Sequence, residues 1–345
     1  MYRVLITGAG ARGVPGLIKD LRSSGEPFHI VTADIDGEAV GNLFADNSYV
    51  VSPWDDEDYI PSLLDVVEKE GIGYLIPNDG PAGLVKLSRL AAAASTPRIA
   101  VSVDTAELET ALNKHALYER LKATGLDAHV PRFVLARTSE ELLDAVEELG
   151  YPQSRVAVKP AVSEGSRGFM VIDGRRVDIF DDRSLHRRLT LEELRLRLEG
   201  LATVPDVLAM EYLPGDEYSV DVLVDEERRP RYMVPRLRER VAEGISVKGV
   251  VVKNREVETL AAEVLDRLGL IYALNIQIRY SHDGVPKVIE VNPRVSGTMT
   301  SCTGAGVNMH YFLVLLLAGR PLPAVQVRYN TRMYRYYSEK YLHGQ

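Results

Sequence analysis

Val288-Ile-Glu-Val-Asn-Pro-Arg294 decides how this chain is read. Val288, Ile289 and Val291 mark the end of a buried strand, and Pro293, with no N–H to give a ladder, stops it. Glu290 and Asn292 lie two residues apart, so both side chains leave one face of that strand. The preceding Leu274-Asn-Ile-Gln-Ile-Arg-Tyr280 reads as a second strand and Ser281-His-Asp-Gly284 as the turn between them. That places Gln277 across the hairpin near Glu290 and Asn292. One carboxylate and two amide oxygens beside Arg294 make a hard-cation site with an anion clamp, the arrangement that Mg²⁺ bridging a polyphosphate needs. The same residues also suit a surface hairpin ending in an ordinary Asn-Pro turn.

Composition narrows the field. A chain of 345 residues has room for two to three domains with a sizeable core. Hydrophobic residues make up 46% and charged residues 26%, which excludes a disordered chain. The formal net charge of −8 argues against general nucleic-acid binding. Cys302 is the single cysteine, so an intrachain disulfide and a multi-cysteine metal site are excluded and a reducing compartment is favoured. The N-terminus runs straight into a strand without the charged and apolar regions of a leader, and the longest apolar run, Tyr311 to Ala318, is too short to span a bilayer. The expectation is a soluble cytoplasmic protein with neither a membrane nor a nucleic-acid partner.

Residues 1 to about 103 alternate strand and helix. Strands are expected at Tyr2–Thr7, His29–Ala33, Tyr74–Pro77 and Ile99–Val103, with helices over Val14–Ser23, Tyr59–Glu70 and Pro81–Ala94. This spacing predicts a parallel, Rossmann-like sheet. Thr105–Gly125 reads as helix with Asn113-Lys114 inside it, and Pro131–Ala136 as strand. Thr138-x-x-Glu141 and Thr190-x-x-Glu193 are capping boxes that open helices, the first ending at Gly150. Arg155–Lys159 and Phe169–Ile172 read as paired strands around a polar Gly-rich loop, and strands dominate from Val207 to Val234. The middle of the chain is therefore α+β rather than doubly wound, with no internal repeat.

Two Gly-rich loops compete for a phosphate role. Gly8-Ala-Gly-Ala-Arg-Gly13 follows a strand, and Asp34 ends the next one, matching a dinucleotide fingerprint in glycine spacing and acid placement. A tight strand-to-helix turn that binds no dinucleotide fits the same residues. In the second loop, Lys159 ends a buried strand and Ser163, Gly165, Ser166 and Gly168 follow. Such a loop offers several backbone N–H donors to phosphate oxygens and the lysine adds a point charge. A mobile surface hairpin is the competing reading, but it leaves a lysine on an apolar strand without a reason. In a third segment, Glu211 and Leu213 lie on a strand that turns at Pro214-Gly215, and Glu217 begins another. That connector can present backbone groups to adenine and a carboxylate to ribose hydroxyls.

Lys114 in Asn-Lys-His, Lys159 in Val-Lys-Pro, Ser163–Gly168, Glu211-Tyr-Leu, Glu217, Gln277 and Glu290-x-Asn-Pro-Arg294 occur in the order found in ATP-grasp enzymes, which the chain resembles over about residues 1 to 320. It is most similar to the synthetase unit of the carbamoyl phosphate synthase large chain. There too a glutamine takes the first metal position and Glu-x-Asn-Pro-Arg lies on the second strand. The resemblance implies an α/β and α+β protein. Its parts would be a Rossmann-like pre-ATP-grasp domain (1–104), an ATP-grasp domain (105–325) with a small lid (about 126–212), and a C-terminal tail (326–345). Lys114 and Lys159 would contact ATP phosphates, with Ser163, Gly165, Ser166 and Gly168 folding over them. Glu211 and Leu213 would sit at adenine and Glu217 at ribose. Gln277, Glu290 and Asn292 would hold Mg²⁺, or Mn²⁺ in its place, and Arg294 the transferred phosphoryl. The Gly8–Gly13 loop would then face the acceptor or acyl substrate rather than a dinucleotide.

One such unit is present in these 345 residues, which puts bicarbonate in doubt as the substrate. The cation-rich stretch around Arg238 and Lys248 could supply substrate or phosphate ligands, or simply solvated strand charges. Ser296–Gly306 could line an acceptor pocket, with Cys302 as a passive small side chain. The arginines of 183–197 are interleaved with acids and read as a solvated helix, and the seven histidines lack metal spacing. Val325–Tyr337 alternates partly like a strand, and its tyrosines could cover the core or a homodimer interface. The expected activity is ATP-dependent joining of a small carboxylate to an amine or thiol through an acyl phosphate. A nicotinamide dehydrogenase using Gly8–Gly13, a small-molecule kinase and a non-catalytic nucleotide-binding subunit are the alternatives.

Overall fold

The computed structural model describes residues 1–163, 167–175, 188–201, 203–242 and 244–341. They form two compact units, one of residues 1–112, 217–277 and 291–345, the other of residues 113–216 and 278–290.

The first unit opens with five strands, β1 (Tyr2–Thr7), β2 (Phe28–Asp34), β3 (Asn47–Val50), β4 (Tyr74–Ile76) and β5 (Arg98–Ile99), and helices α1 (Val14–Arg22), α2 (Tyr59–Glu70), α3 (Pro81–Ala93) and α4 (Thr105–Leu112). All pairings are parallel, in the order β3-β2-β1-β4-β5. The Rossmann-like expectation holds because Val4, Leu5 and Ile6 are fully buried, as a central parallel strand requires. β3 was not expected, and β5 is shorter than the Ile99–Val103 run suggests. Glu70, the last residue of α2, ties the sheet edge together: it accepts from Tyr49 Oη at 2.5 Å and Asn47 Nδ2 at 2.8 Å, and meets His29 Nε2 at 2.9 Å. Those bonds, Tyr49's foremost, hold its carboxyl down to about 2. With β2 on one side of β1 and β4 on the other, the crevice of the sheet opens beyond Thr7 and Ile76.

The helix expected over Thr105–Gly125 is broken at Asn113, and α5 (Lys114–Ala123) begins the second unit. Asn113 is extended, and its Oδ1 accepts from the amides of His115 and Ala116, so the residue acts as an N-cap. There follow β6 (Phe133–Thr138), α6 (Ser139–Glu148), β7 (Val156–Pro160), β8 (Met170–Ile172), β9 (Arg188–Leu189), α7 (Leu191–Leu198) and β10 (Thr203–Glu211). The sheet order is β6-β10-β7-β8-β9. Both capping boxes form, at Thr138 with Glu141 and at Thr190 with Glu193. Leu142 and Val146 of α6 join Val156, Val158, Ile172 and Ala209 in one core. The arginine-rich stretch is not one helix. Arg188 lies in β9, and buried Leu189, Leu191 and Leu194 anchor the strand-to-helix turn at Thr190, while residues 183–187 lie outside the described residues.

The chain then builds a sheet from β11 (Glu217–Val224), β12 (Pro230–Ala242), β13 (Ile245–Val251), β14 (Tyr272–Tyr280), β15 (Pro286–Asn292) and β16 (Arg332–Tyr334), with helices α8 (Arg255–Leu268), α9 (Thr300–Gly304) and α10 (Met309–Leu317). Its order is β15-β14-β11-β12-β13-β16. The division between the units falls inside β14 after Gln277 and inside β15 after Glu290. β16 pairs antiparallel with β13, so part of the expected tail is an edge strand. Leu17 and Leu21 of α1 share a core with Phe312 and Leu313 of α10 and with Leu223, Val234 and Val251 of this sheet. α8 had no sequence-based expectation, although Asn254 caps its start and Gly269, at φ +59°, ends it.

Because Asn113 satisfies two amides at the start of α5, Asn113→Ala should destabilise the protein by about 1 kcal/mol in urea unfolding while Asn113→Asp stays near wild type. Equal stability of the alanine variant would show that the cap contributes nothing.

Candidate active site

In the second unit two lysines are buried beside the strand carboxylate Glu290. Lys114, the first residue of α5, is 4% exposed. Its Nζ donates to Ser163 O and Oγ, both at 3.2 Å, and lies 3.8 Å from Glu290 Oε2. Its own amide is fixed to Ala161 O at 2.8 Å, which anchors the start of α5 to the end of β7. Lys159 is 6% exposed on β7. Its Nζ donates to Tyr118 Oη and to Ile289 O, each at 3.1 Å, and Tyr118 Oη donates to the same carbonyl at 2.7 Å. Burial first, and then Glu290, push the Tyr118 phenol up, so it stays a neutral donor. The structure thus brings Lys114, Lys159, Ser163 and Glu290 together. Gly168 takes φ +72° beyond the loop, and Gly165 and Ser166 lie outside the described residues.

Glu211 ends β10 with its Oε1 accepting from the Arg132 amide at 3.0 Å and lying 3.9 Å from Lys287 Nζ. Leu213 is buried, and between them the Tyr212 ring is covered by Arg155 at 4.4 Å and Arg279 at 5.7 Å. These two stacked guanidinium groups carry no motif of their own and are found only through the fold.

In the first unit Arg238 gathers two of the other expected residues. Its Nη1 donates to Glu217 Oε1 and, at 2.8 Å, to Gln277 Oε1, while Nη2 donates to Gly244 O at 2.7 Å and Nε to Ser246 Oγ at 3.1 Å. Lys248 is not part of this group. It is half-exposed, 3.2 Å from Glu239, which also binds Arg332 at 2.7 Å, and it lies over the Tyr334 ring. Arg294 donates Nη1 to Val295 O at 3.0 Å. A second buried group, absent from the sequence-based set, centres on Asp221. It accepts from Arg236 Nε at 2.6 Å, Asn275 Nδ2 at 2.7 Å and Ser296 Oγ at 2.8 Å, with Cys302 Sγ at 3.5 Å. Its signal was a carboxylate inside the apolar run Val220-Asp-Val-Leu-Val224. Burial, reinforced by Asp221, raises the Cys302 thiol well above its ordinary range, which removes it as a nucleophile.

The Gly8–Gly13 loop is used for packing. Gly8 has φ +61°, and a Cβ there would come within 2.6 Å of Asn78 O; a Cβ on Gly13 would come within 2.6 Å of Gly297 Cα. Gly10 N donates to Asp34 Oδ2 at 2.7 Å. In a dinucleotide site that amide faces pyrophosphate and that acid faces ribose; here they face each other. Across the crevice Thr7 Oγ1 donates to Asp79 Oδ2 at 2.5 Å. Burial pushes the Asp79 carboxyl up to about 6, with Asp34 adding to the rise and Thr7, Tyr59 and Arg294 opposing it.

Among the described residues no group of three or more His, Cys, Asp and Glu side chains is placed to hold a metal ion. The expected donor set is of another kind, one carboxylate and two amides. Gln277 turns its oxygen to Arg238 in the first unit, and Glu290 lies 3.8 Å from Lys114 in the second; each is an oxygen donor of the hard type that Mg²⁺ prefers.

Residues 203–339 match the family described as ATP-grasp in the biosynthetic pathway with Ter operon, and residues 4–101 match the PylC-like N-terminal domain. The chain carries an ATP-grasp domain and a PylC-like N-terminal domain. It is homologous to the carbamoyl phosphate synthase large chain: that of Clostridium acetobutylicum is 27% identical over 275 residues, covering 76% of this chain and 24% of the relative. The chain therefore spans about a quarter of the length of that curated relative. Among solved structures, N5-carboxyaminoimidazole synthetase from Staphylococcus aureus complexed with ADP superposes with a TM-score of 0.70 at 17% identity, over 95% of this chain and 80% of that one. The biotin carboxylase domain of 2-oxoglutarate carboxylase from Hydrogenobacter thermophilus, in complex with MgADP, ADP and bicarbonate, gives 0.66 at 18% identity, over 96% and 73%. These two likenesses establish the fold. Among the described residues no helix is long and apolar enough to cross a membrane.

A buried carboxyl raised to about 6 binds its proton more tightly in the folded than in the unfolded protein, so it contributes least to stability once pH passes the folded value. Wild-type stability should fall as pH rises from about 4 to 6, by about 3 kcal/mol if Asp79 acts alone. Asp79→Asn should flatten that slope and raise the thermal midpoint at pH 7.5. An unchanged pH profile would show that Asp79 does not titrate in this window.

Proposed function

We propose that the chain is an ATP- and Mg²⁺-dependent ligase that joins a small carboxylate to an amine or thiol through an acyl phosphate, releasing ADP and phosphate. The observation that carries the reading is the burial of Lys114 and Lys159 in one unit with Glu290. Two ammonium groups gathered near one strand carboxylate leave a net positive charge, which suits the phosphates of a nucleotide. The ADP and MgADP held by the two structural neighbours support the nucleotide.

Lys159 and Lys114 would hold the phosphates, with Ser163–Gly168 excluding water above them. Glu211 and Leu213 would border adenine, and Glu217 the ribose, exchanging its bond to Arg238 for the sugar hydroxyls. Gln277, Glu290 and Asn292 would hold Mg²⁺, which when bound offsets the charge of the phosphate oxygens. Arg294 would clamp the transferred phosphoryl, and Arg238 would steady the oxygen of Gln277. The contribution of this chain is positioning and charge stabilisation rather than covalent catalysis. The bond between Gly10 and Asp34 argues against the nicotinamide reading.

Calorimetry should give heat with Mg-ATP and none with NAD or NADP; the reverse pattern would overturn the nucleotide assignment. Glu290→Gln should lower kcat by roughly 10²-fold or more with little change in the thermal midpoint of the nucleotide-free protein. With the correct carboxylate, the product should be ADP, and hydroxylamine should capture the activated acid as a hydroxamate without the natural amine. AMP as product would indicate adenylation, and a phosphorylated product inert to hydroxylamine would indicate a kinase.

A further inference from the structure

Two arginines reach the Ser296-Gly297 turn, and the charge of a third, Arg12, bears on one of them, all within the first unit. Arg335, the residue after β16, donates Nη2 to Gly297 O at 2.7 Å, and its amide is fixed to Val247 O at 2.8 Å. Arg236 reaches Ser296 Oγ with Nη2 at 3.5 Å while its Nε binds Asp221 at 2.6 Å. Arg12 precedes Gly13, whose backbone is packed so closely on Gly297 that a Cβ would meet it at 2.6 Å. Arg236 has a carboxylate in Asp221. Among the described residues no carboxylate pairs with Arg335, and the charges that bear on it are those of Arg236 and Arg12. Burial, followed by those two like charges, pushes the Arg335 guanidinium below its ordinary value. A half-buried cation held against two others destabilises the fold on its own account, and a bound anion removes that cost.

We propose that Arg335 at the Ser296-Gly297 turn, together with Arg12, forms the binding site for an oxyanion on the amine substrate, a carboxylate or a phosphate. This deepens the ligase reading and rests on it. A protonated amine approaching three arginines is repelled unless it brings its own anion, so the site selects amines that carry one and excludes simple alkylamines. A planar guanidinium fork matches carboxylate and phosphate geometry. Gly297 lies three residues beyond Arg294, at most about 10 Å of extended chain, which a small amino acid or phosphorylated amine can bridge to an acyl group clamped at Arg294.

The test is calorimetry on the full chain saturated with MgADP, so that the nucleotide phosphate positions are filled, titrated with β-alanine, phosphoethanolamine or ethylamine. One or both of the anionic amines should bind and ethylamine should not; a preference between the two tells carboxylate from phosphate. Arg335→Ala should weaken that binding about tenfold or more, as the loss of a charge-assisted contact does, with MgADP affinity unchanged. Arg12 is exposed, so Arg12→Ala preserves the fold and reads the same site should the Arg335 variant be unstable. Failure of both anionic amines to bind, equal binding of ethylamine, or undiminished binding in both arginine variants would overturn the site. Anion binding that is sensitive to Arg12 and Arg335 in a protein with no MgADP affinity would keep the site and remove the ligase reading instead.

Discussion

A buried ammonium group must be met by oxygen, and in the second unit that requirement fixes where everything else goes. Lys159 projects from an otherwise apolar sheet, and the Tyr118 hydroxyl and the Ile289 carbonyl are brought to it. Tyr118 comes from α5, whose start is set by the Asn113 cap, and the cap in turn sets Lys114 at the first helical position facing Ser163 and Glu290. Ile289 precedes Glu290, so the strand that satisfies one lysine delivers the carboxylate to the other. One helix break thus organises both lysines.

The first unit solves the opposite problem, carboxylates in a sheet. Asp221 is fully buried and is stabilised by Arg236, Asn275 and Ser296 together. Removing one partner from such a group costs about 3–5 kcal/mol, because the remaining charge stays buried. The same side chains hold the Ser296-Gly297 turn in place, so the structural network and the proposed anion site share their parts. Arg238 acts similarly one pleat away, holding Glu217 and Gln277 through a single guanidinium nitrogen. Its four bonds give the oxygens of these two residues a defined orientation, whereas Lys248, nearby in sequence, is taken up by Glu239 at the sheet surface.

Several elements were legible without coordinates. Val4, Leu5 and Ile6 are an apolar run of the kind a central parallel strand accommodates, and Thr138 and Thr190 announce their helices through a glutamate three residues on. Asn113 was read as a helix interior because its apolar neighbours keep the helical period on both sides; the capping choice depends on Ala161 accepting the Lys114 amide, a contact 47 residues away in sequence. The Gly8–Gly13 loop looked like a nucleotide fingerprint for a similar reason. Glycine spacing records that a backbone approaches something closely, and whether the neighbour is a phosphate or Gly297 depends on chain that arrives 284 residues later.

The sequence by itself determined the class of fold and the ordered set from Lys114 to Arg294, because strand period, caps and turn residues are local properties. Tertiary structure alone decided which charges share a group. Arg238 joins Gln277, Arg236 joins Asp221, and Arg335 at Gly297 feels the charges of Arg236 and Arg12. Ion pairing is decided by distance and burial, and both follow from strand order and packing, which no local run of residues encodes.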